Sequence, residues 1–209
     1  MNPRTRRLEL DGPAGAIECA LDAPDGDAVE LGVAVLCHPH PLHGGTMDNK
    51  VVQTMARAAV ACGWRAVRFN FRGVGASLGA WDQGRGEVDD ALAVVEALRD
   101  EALPLALGGF SFGGYVAAQV FARLPASERI RPPVLIAPAV TNFSVPAVSQ
   151  HSLVVHGEAD DVVPLAATMD WARPQAQPVL VVPGAGHFFH GMLTPLKQWV
   201  CAWHATLPD

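Results

Sequence analysis

Short apolar runs alternate along this chain with segments of helical periodicity. The run GVAVLCH, at residues 32–38, has the near-continuous hydrophobicity of a strand buried on both faces. An amphipathic stretch follows it and ends at Gly63, a residue typical of helix C-termini. The pattern then recurs towards the C-terminus, where we predict further strands in WRAVRFNF, PLALGGF, PPVLIAPA, SLVVHG and PVLVVPG.

The segments between these runs have helical periodicity and predict helices. We expect them near residues 88–98, from Phe112 to about Leu124, from about Leu165, and in a last segment. In that last segment Thr194 and Pro195 suit an N-cap and a first helical position. Strand–helix alternation of this kind predicts an α/β fold, with a mostly parallel sheet covered by helices on both faces.

Composition narrows the class of protein. With 209 residues, half of them hydrophobic, the chain can bury a sizeable core, and we predict a single domain over residues 1–209. A net charge of -6 argues against nucleic acid or an anionic membrane as partner. The basic N-terminus lacks an apolar run, so we expect no signal peptide. The four scattered cysteines suggest reduced thiols in a cytoplasmic protein.

Parallel sheets of this kind carry their active sites at the carboxyl ends of the strands. Five chemically suggestive stretches fall in the predicted strand-end loops, namely HPHPLHGG, FRGVGAS, GFSFGG, HGEADD and GAGHFFHG. The glycines of FRGVGASLG miss the spacing of a dinucleotide-binding fingerprint, so no such cofactor is expected. The other four loops contain serine, aspartate and histidine residues that are candidates for nucleophilic catalysis.

The pentapeptide GFSFG places Ser111 between a predicted strand and a predicted helix. This is the pattern of a nucleophile elbow, in which flanking glycines leave room for a sharp, strained turn. The N–H of Phe112 would then lie at a helix N-terminus, where it can stabilise developing negative charge. Ser111 is therefore the candidate nucleophile, and Phe112 the first candidate oxyanion donor.

A serine nucleophile needs a base, and the base needs an orienting acid. Asp160 follows the strand SLVVHG and is our candidate for the acid, with Asp161 as the competitor. His187 follows the strand PVLVVPG, in a loop of small residues that can curl back towards the serine, and it is the candidate base. His190 is the alternative. The order Ser, Asp, His along the chain is that of an α/β-hydrolase.

The chain as a whole resembles the α/β-hydrolase superfamily over essentially its full length. It is most similar to small, lidless bacterial serine hydrolases and predicted esterases, and to dienelactone-hydrolase-like domains. The stretches that carry this resemblance are HPHPLHGGTMDNKVV, RFNFRGVGASLG, GFSFGG, HGEADDVVP and GHFFHG. The resemblance implies an α/β-hydrolase fold without a cap domain and a triad of Ser111, Asp160 and His187. Dienelactone hydrolases use a cysteine nucleophile, so the serine at position 111 argues against that activity.

The resemblance also places the second oxyanion donor in the loop from His38 to Gly45. Two prolines of this loop have no N–H to donate. The N–H groups of His40, Leu42 and His43 remain, and of these we favour Leu42, with His40 second. We expect the His40 and His190 side chains as substrate contacts. A metal site on the three histidines of HPHPLHGG lacks a nearby carboxylate or cysteine at familiar spacing, so we expect neither metal nor cofactor.

These features predict a serine hydrolase that cleaves a small-molecule ester or thioester through an acyl-enzyme intermediate. About a dozen residues separate PPVLIAPA from SLVVHG, too few for a helical lid, so the site should be open. A peptidase, amidase or acyltransferase with the same triad is the alternative, followed by a non-catalytic binding protein. The natural substrate, its acyl chain and the oligomeric state stay open.

Overall fold

A single eight-stranded sheet organises the computed structural model, which describes residues 5–24, 26 and 29–206. The strands are β1 (Arg6–Gly12), β2 (Gly15–Asp22), β3 (Gly32–Cys37), β4 (Trp64–Phe69), β5 (Leu105–Phe110), β6 (Val134–Ile136), β7 (Leu153–Gly157) and β8 (Leu180–Val182). The helices are α1 (Lys50–Ala61), α2 (Arg85–Leu98), α3 (Phe112–Arg123), α4 (Leu165–Ala172) and α5 (Leu193–Ala205).

The strand order is β1-β2-β4-β3-β5-β6-β7-β8. The six strands from β3 onwards pair in parallel, as the alternation of strands and helices predicts. The hairpin of β1 and β2 was not predicted; it adds an antiparallel edge, with β2 pairing against β4. The sheet is therefore mixed, although β3 to β8 pair only in parallel with one another.

Two hydrophobic cores lie on the two faces of the sheet, because successive side chains of a strand point in opposite directions. In β3, Val33 and Val35 face the core formed with α2 and α3, whereas Ala34 and Leu36 face the core formed with α1 and α5. All six residues of β3 are buried. Helices thus cover both faces, which confirms the predicted architecture.

The connection between β6 and β7 carries no inserted helix. Residues 137–152, between β6 and β7, contain no helix, so no cap is inserted at the position where a lid would lie. Within the described ranges, none of the helices has both the length and the apolar character needed to cross a bilayer.

Two helix ends show how closely the sequence patterns match the structure. Gly63 follows α1 with a φ of 80°, the left-handed conformation expected after a helix. The last helix, however, begins at Leu193, with Met192 and not Thr194 as its N-cap residue. The Met192 carbonyl already accepts the N–H of Leu196 at 3.0 Å, so the first helical hydrogen bond closes two residues before the predicted start.

Candidate active site

Ser111 occupies a strained turn between β5 and α3. Its backbone has φ 56° and ψ −118°, a conformation that L-residues rarely adopt and that persists where surrounding structure enforces it. The Ser111 N–H donates to the carbonyl of Ile136 at 2.9 Å, which fixes the turn to the neighbouring strand β6. The side chain is mostly buried, with 8% of the residue exposed, at the carboxyl edge of the sheet.

The glycines around Ser111 are required by close backbone contacts. A Cβ atom on Gly109 would lie 2.0 Å from the carbonyl oxygen of Gly113, across the turn itself. A Cβ atom on Gly113 would lie 2.2 Å from the carbonyl oxygen of Cys37 and 2.6 Å from that of His38. The start of α3 therefore packs directly on the backbone that leads from β3 into the histidine-rich loop.

Asp160 lies in the loop after β7 and is 6% exposed. Its Oδ1 accepts the N–H groups of Val162 and Val163 at 2.9 and 2.8 Å, and its Oδ2 lies 2.7 Å from Nδ1 of His187. Burial by itself raises the pKa of the Asp160 carboxyl. The hydrogen bonds from His187, Val163 and Val162 outweigh that effect and hold the pKa below its ordinary value, so Asp160 is ionised at neutral pH.

His187 connects Asp160 to Ser111. Its Nε2 lies 3.0 Å from Oγ of Ser111, and its ring is 4.9 Å from that of Phe110 between centroids. Because a carboxylate can only accept, the Nδ1 atom facing Asp160 carries the proton. The lone pair of Nε2 then faces the serine hydroxyl, which is the arrangement a general base requires.

Backbone contacts between the loops after β7 and β8 bring Asp160 and His187 together. The N–H of Ala159 donates to the carbonyl of Ala185 at 2.9 Å. A Cβ atom on Gly157 would lie 2.3 Å from the same carbonyl oxygen, so glycine is needed for this approach. The two loops are therefore held against each other at the residues that precede Asp160 and His187.

A second histidine, His156, approaches the same carboxylate and was not singled out from the sequence. Its Nε2 lies 2.8 Å from the carbonyl of Val163 and 3.5 Å from Oδ2 of Asp160, and its Nδ1 lies 3.2 Å from the Thr168 hydroxyl. Burial lowers its pKa, so the fully buried ring is neutral at pH 7. Its position at the end of β7, four residues before Asp160, was the signal that could have identified it.

The competing candidates of the sequence, Asp161 and His190, are not part of this hydrogen-bonded chain. Asp161 and His190 are both exposed. The ring of His190 faces that of Phe188, with the centroids 5.9 Å apart. Among the described residues, neither makes a hydrogen bond to Ser111, Asp160 or His187, whereas those three are joined to one another.

The histidines of HPHPLHGG have separate environments. His38 is fully buried, with Nδ1 2.6 Å from the Pro39 carbonyl and Nε2 accepting the Phe71 N–H at 3.0 Å, so both ring nitrogens are engaged. Burial lowers the pKa of His38 to about 4. Within the described part of the chain, no three His, Cys, Asp or Glu side chains cluster in a way that would hold a metal ion.

The backbone of this loop distinguishes the two candidate oxyanion donors. The N–H of Leu42 already donates to Nδ1 of His40 at 3.2 Å, in a short 3-10 turn over Pro41–His43. In contrast, the N–H groups of His40 and Phe112 make no hydrogen bond among the described residues. The ring of His40 also lies 5.3 Å from that of Phe112 between centroids. These contacts weigh against Leu42 and favour His40.

Comparison with solved structures gives full-length similarity. The chain is 38% identical to an α/β serine hydrolase without a lid from Xanthomonas campestris, with a TM-score of 0.86 over 100% of this chain and 98% of that one. It is also 38% identical to an α/β serine hydrolase homologue from Coxiella burnetii, with a TM-score of 0.84 over 94% and 96% of the two chains.

A family model and a curated protein also match this chain. The family model described as serine aminopeptidase, S33 matches residues 40–152, a span that contains Ser111. An uncharacterized protein of Rickettsia prowazekii is 33% identical, over 88% of this chain and 82% of that protein.

Proposed function

Because this chain belongs to the α/β serine hydrolases, through the family described as serine aminopeptidase, S33, we propose that it cleaves an ester or thioester by acyl transfer. Ser111 is the proposed nucleophile, His187 the general base and Asp160 the orienting acid. The observation that carries this proposal is the continuous hydrogen-bonded chain from Ser111 Oγ through His187 to Asp160, at 3.0 and 2.7 Å.

The first half-reaction follows from this geometry. Ser111 Oγ attacks the carbonyl carbon while Nε2 of His187 takes the hydroxyl proton. Asp160 stays ionised and stabilises the imidazolium that forms, because its pKa is held low and its other oxygen is already bound by two N–H groups. The proton on His187 then passes to the leaving alkoxide or thiolate as the acyl–enzyme forms.

Charge on the substrate oxygen has to be stabilised during this step. We assign that role to the N–H groups of Phe112 and His40, in place of Leu42, whose N–H is bound to His40. The strained φ of Ser111 supports the choice of Phe112, since the turn leaves this N–H at the first position of α3 without a helical acceptor. Water, activated by His187, then hydrolyses the acyl–enzyme.

The surroundings of the serine favour a small apolar substrate. Phe188 is 48% exposed although its ring lies 5.2 Å from that of His187 between centroids, so it presents apolar surface next to the reacting groups. The absence of a helix in residues 137–152 leaves the site open to water as the acyl acceptor. Both features support hydrolysis of a short ester or thioester.

A second candidate is aminopeptidase action, which the description of the matching family model favours. A matched panel separates the two. We would compare p-nitrophenyl butyrate, its thioester counterpart and butyryl p-nitroanilide, together with amino-acid p-nitroanilides that carry a free α-amino group. Turnover of the ester and thioester at least 100-fold above the anilides is expected. Faster turnover of the free-amine anilides than of the ester and the thioester would replace the ester proposal with aminopeptidase action.

A further inference from the structure

A pair of cysteine thiols joins helices α1 and α5 on the side of the molecule away from Ser111. Sγ of Cys62 lies 2.9 Å from Sγ of Cys201, although the two residues are 139 positions apart. Non-bonded carbon atoms pack best at about 3.5–4.0 Å, and sulfur is larger than carbon. The two sulfur atoms are thus closer together than in an ordinary non-bonded contact.

The local structure holds both thiols at this position. Cys62 is the C-cap residue of α1, where its N–H reaches carbonyls of the last helical turn. Cys201 lies in α5, and its Sγ is 3.4 Å from the carbonyl of Ala58 in that same turn. A disulfide needs an S–S separation of about 2.0 Å, so about 0.9 Å of approach would close the bond.

Accessibility distinguishes this pair from the other two cysteines. Cys62 and Cys201 are each partly exposed, whereas Cys19 and Cys37 lie in buried strands at 0% and 2% exposure. Burial and the hydrogen bond with Cys201 raise the pKa of the Cys62 thiol to about 12, with Lys197 acting in the opposite direction. The thiol is therefore protonated at rest, in keeping with two free cysteines.

We propose that Cys62 and Cys201 form a redox modification site, which a low-molecular-mass disulfide oxidises to an internal disulfide. Cys201 attacks the oxidant RSSR as the thiolate, because Cys62 is held protonated; this gives a mixed disulfide on Cys201 and releases RS⁻, which takes up the proton that Cys201 gave up. The second cysteine then attacks the protein sulfur of that mixed disulfide and expels the second RSH. Two protein thiols lose two electrons and two protons in total, and RSSR is reduced to two RSH.

The disulfide would act as a clamp between two helices and leave the active site unchanged. α1 has 12 residues and starts near the carboxyl edge of the sheet, so Cys62 lies roughly 18 Å further along the helix from that end. Because the bond would close a loop of 139 positions, we expect it to raise the Tm by roughly 5–10 °C. Turnover at Ser111 should not change.

The test uses the reduced full-length protein and 2,2′-dithiodipyridine, whose released thiopyridone is measured by absorbance. We expect two thiopyridones released per chain, an intact mass lower by two hydrogens, a cross-linked Cys62–Cys201 peptide and a higher Tm. Cys62→Ser and Cys201→Ser are the matched controls; each should retain one adduct and show no rise in Tm. Adducts that persist on both cysteines, or no reaction of the native protein, would overturn the site. An unchanged Tm after the bond forms would overturn the clamp.

Discussion

Asp160 and His187, 27 positions apart, share a 2.7 Å hydrogen bond that neither Asp161 nor His190 makes. We expect Asp160→Asn to lower kcat on p-nitrophenyl butyrate by roughly 10³–10⁴-fold, because an amide can stabilise the wrong tautomer of His187 and cannot stabilise its imidazolium. The exposed Asp161→Asn is the matched control and should stay within about twofold of wild type. Similar, mild losses in both variants would mean that Asp160 is not the acid.

The sequence predicts much of this site because Ser111, Asp160 and His187 each lie in the segment that follows a strand. Ser111, Asp160 and His187 come after β5, β7 and β8, and parallel strands bring their carboxyl ends to one edge. The side chain–backbone contacts that complete the site are not encoded in such a pattern. The capture of the Leu42 N–H by His40 depends on the rotamer of one ring, which spacing alone does not specify.

The same limit applies to the fold. The hairpin Arg6–Asp22 was missed because its second strand ends in the buried run CALD, which lacks the alternation of a half-exposed strand. Buried strands in the parallel half were identified because a helix follows most of them. β1 pairs only with its sequence neighbour β2, and β2 pairs antiparallel with β4; the hydrophobic pattern carries little information about such tertiary pairing.

His156 should act as a positioning residue for Asp160. In His156→Leu the carboxylate loses its contact with Nε2, and the Val163 carbonyl loses its donor, so we expect kcat to fall roughly tenfold with KM unchanged. His156→Gln retains an N–H near the same place and should recover most of this loss. Equal kcat values for Leu and Gln at matched stability would contradict a positioning role.

Gly113 should tolerate no side chain. In Gly113→Ala the new Cβ would lie 2.2 Å from a backbone oxygen of Cys37, which cannot rotate away. We expect the Tm to fall by at least about 5 °C and kcat/KM to fall about 100-fold, as the elbow is displaced from His187. Gly186→Ala, whose Cβ would meet nothing closer than 3.7 Å, serves as the control and should match wild type. A stable, active Gly113→Ala would contradict the packing described here.

Acid should destabilise the protein partly through His38. Burial lowers its folded pKa to about 4 from an ordinary value of 6.5, so the unfolded chain binds this proton more readily. The cost is absent above pH 7 and grows as the pH falls from about 6.5 to 4. Between pH 8 and 5 we expect His38 to account for about 2 kcal/mol of lost unfolding free energy.

Urea titrations of wild type and His38→Gln at pH 8 and 5 measure this contribution. The variant will be less stable at pH 8, but its loss on acidification should be smaller than that of wild type by about that amount. His204, whose pKa burial also lowers to about 4, acts in the same direction in both proteins. Identical acid losses in the two proteins would mean that His38 is protonated without cost.

Covalent labelling of Ser111 tests the proposed mechanism most directly. Wild type and Ser111→Ala would be treated with a fluorophosphonate probe, mapped by peptide mass spectrometry, and assayed on p-nitrophenyl butyrate with and without a chelator. We expect a single adduct on Ser111, turnover that the chelator does not alter, and a loss of at least about 10³-fold in Ser111→Ala. An unlabelled Ser111 together with full turnover in Ser111→Ala would contradict the serine mechanism.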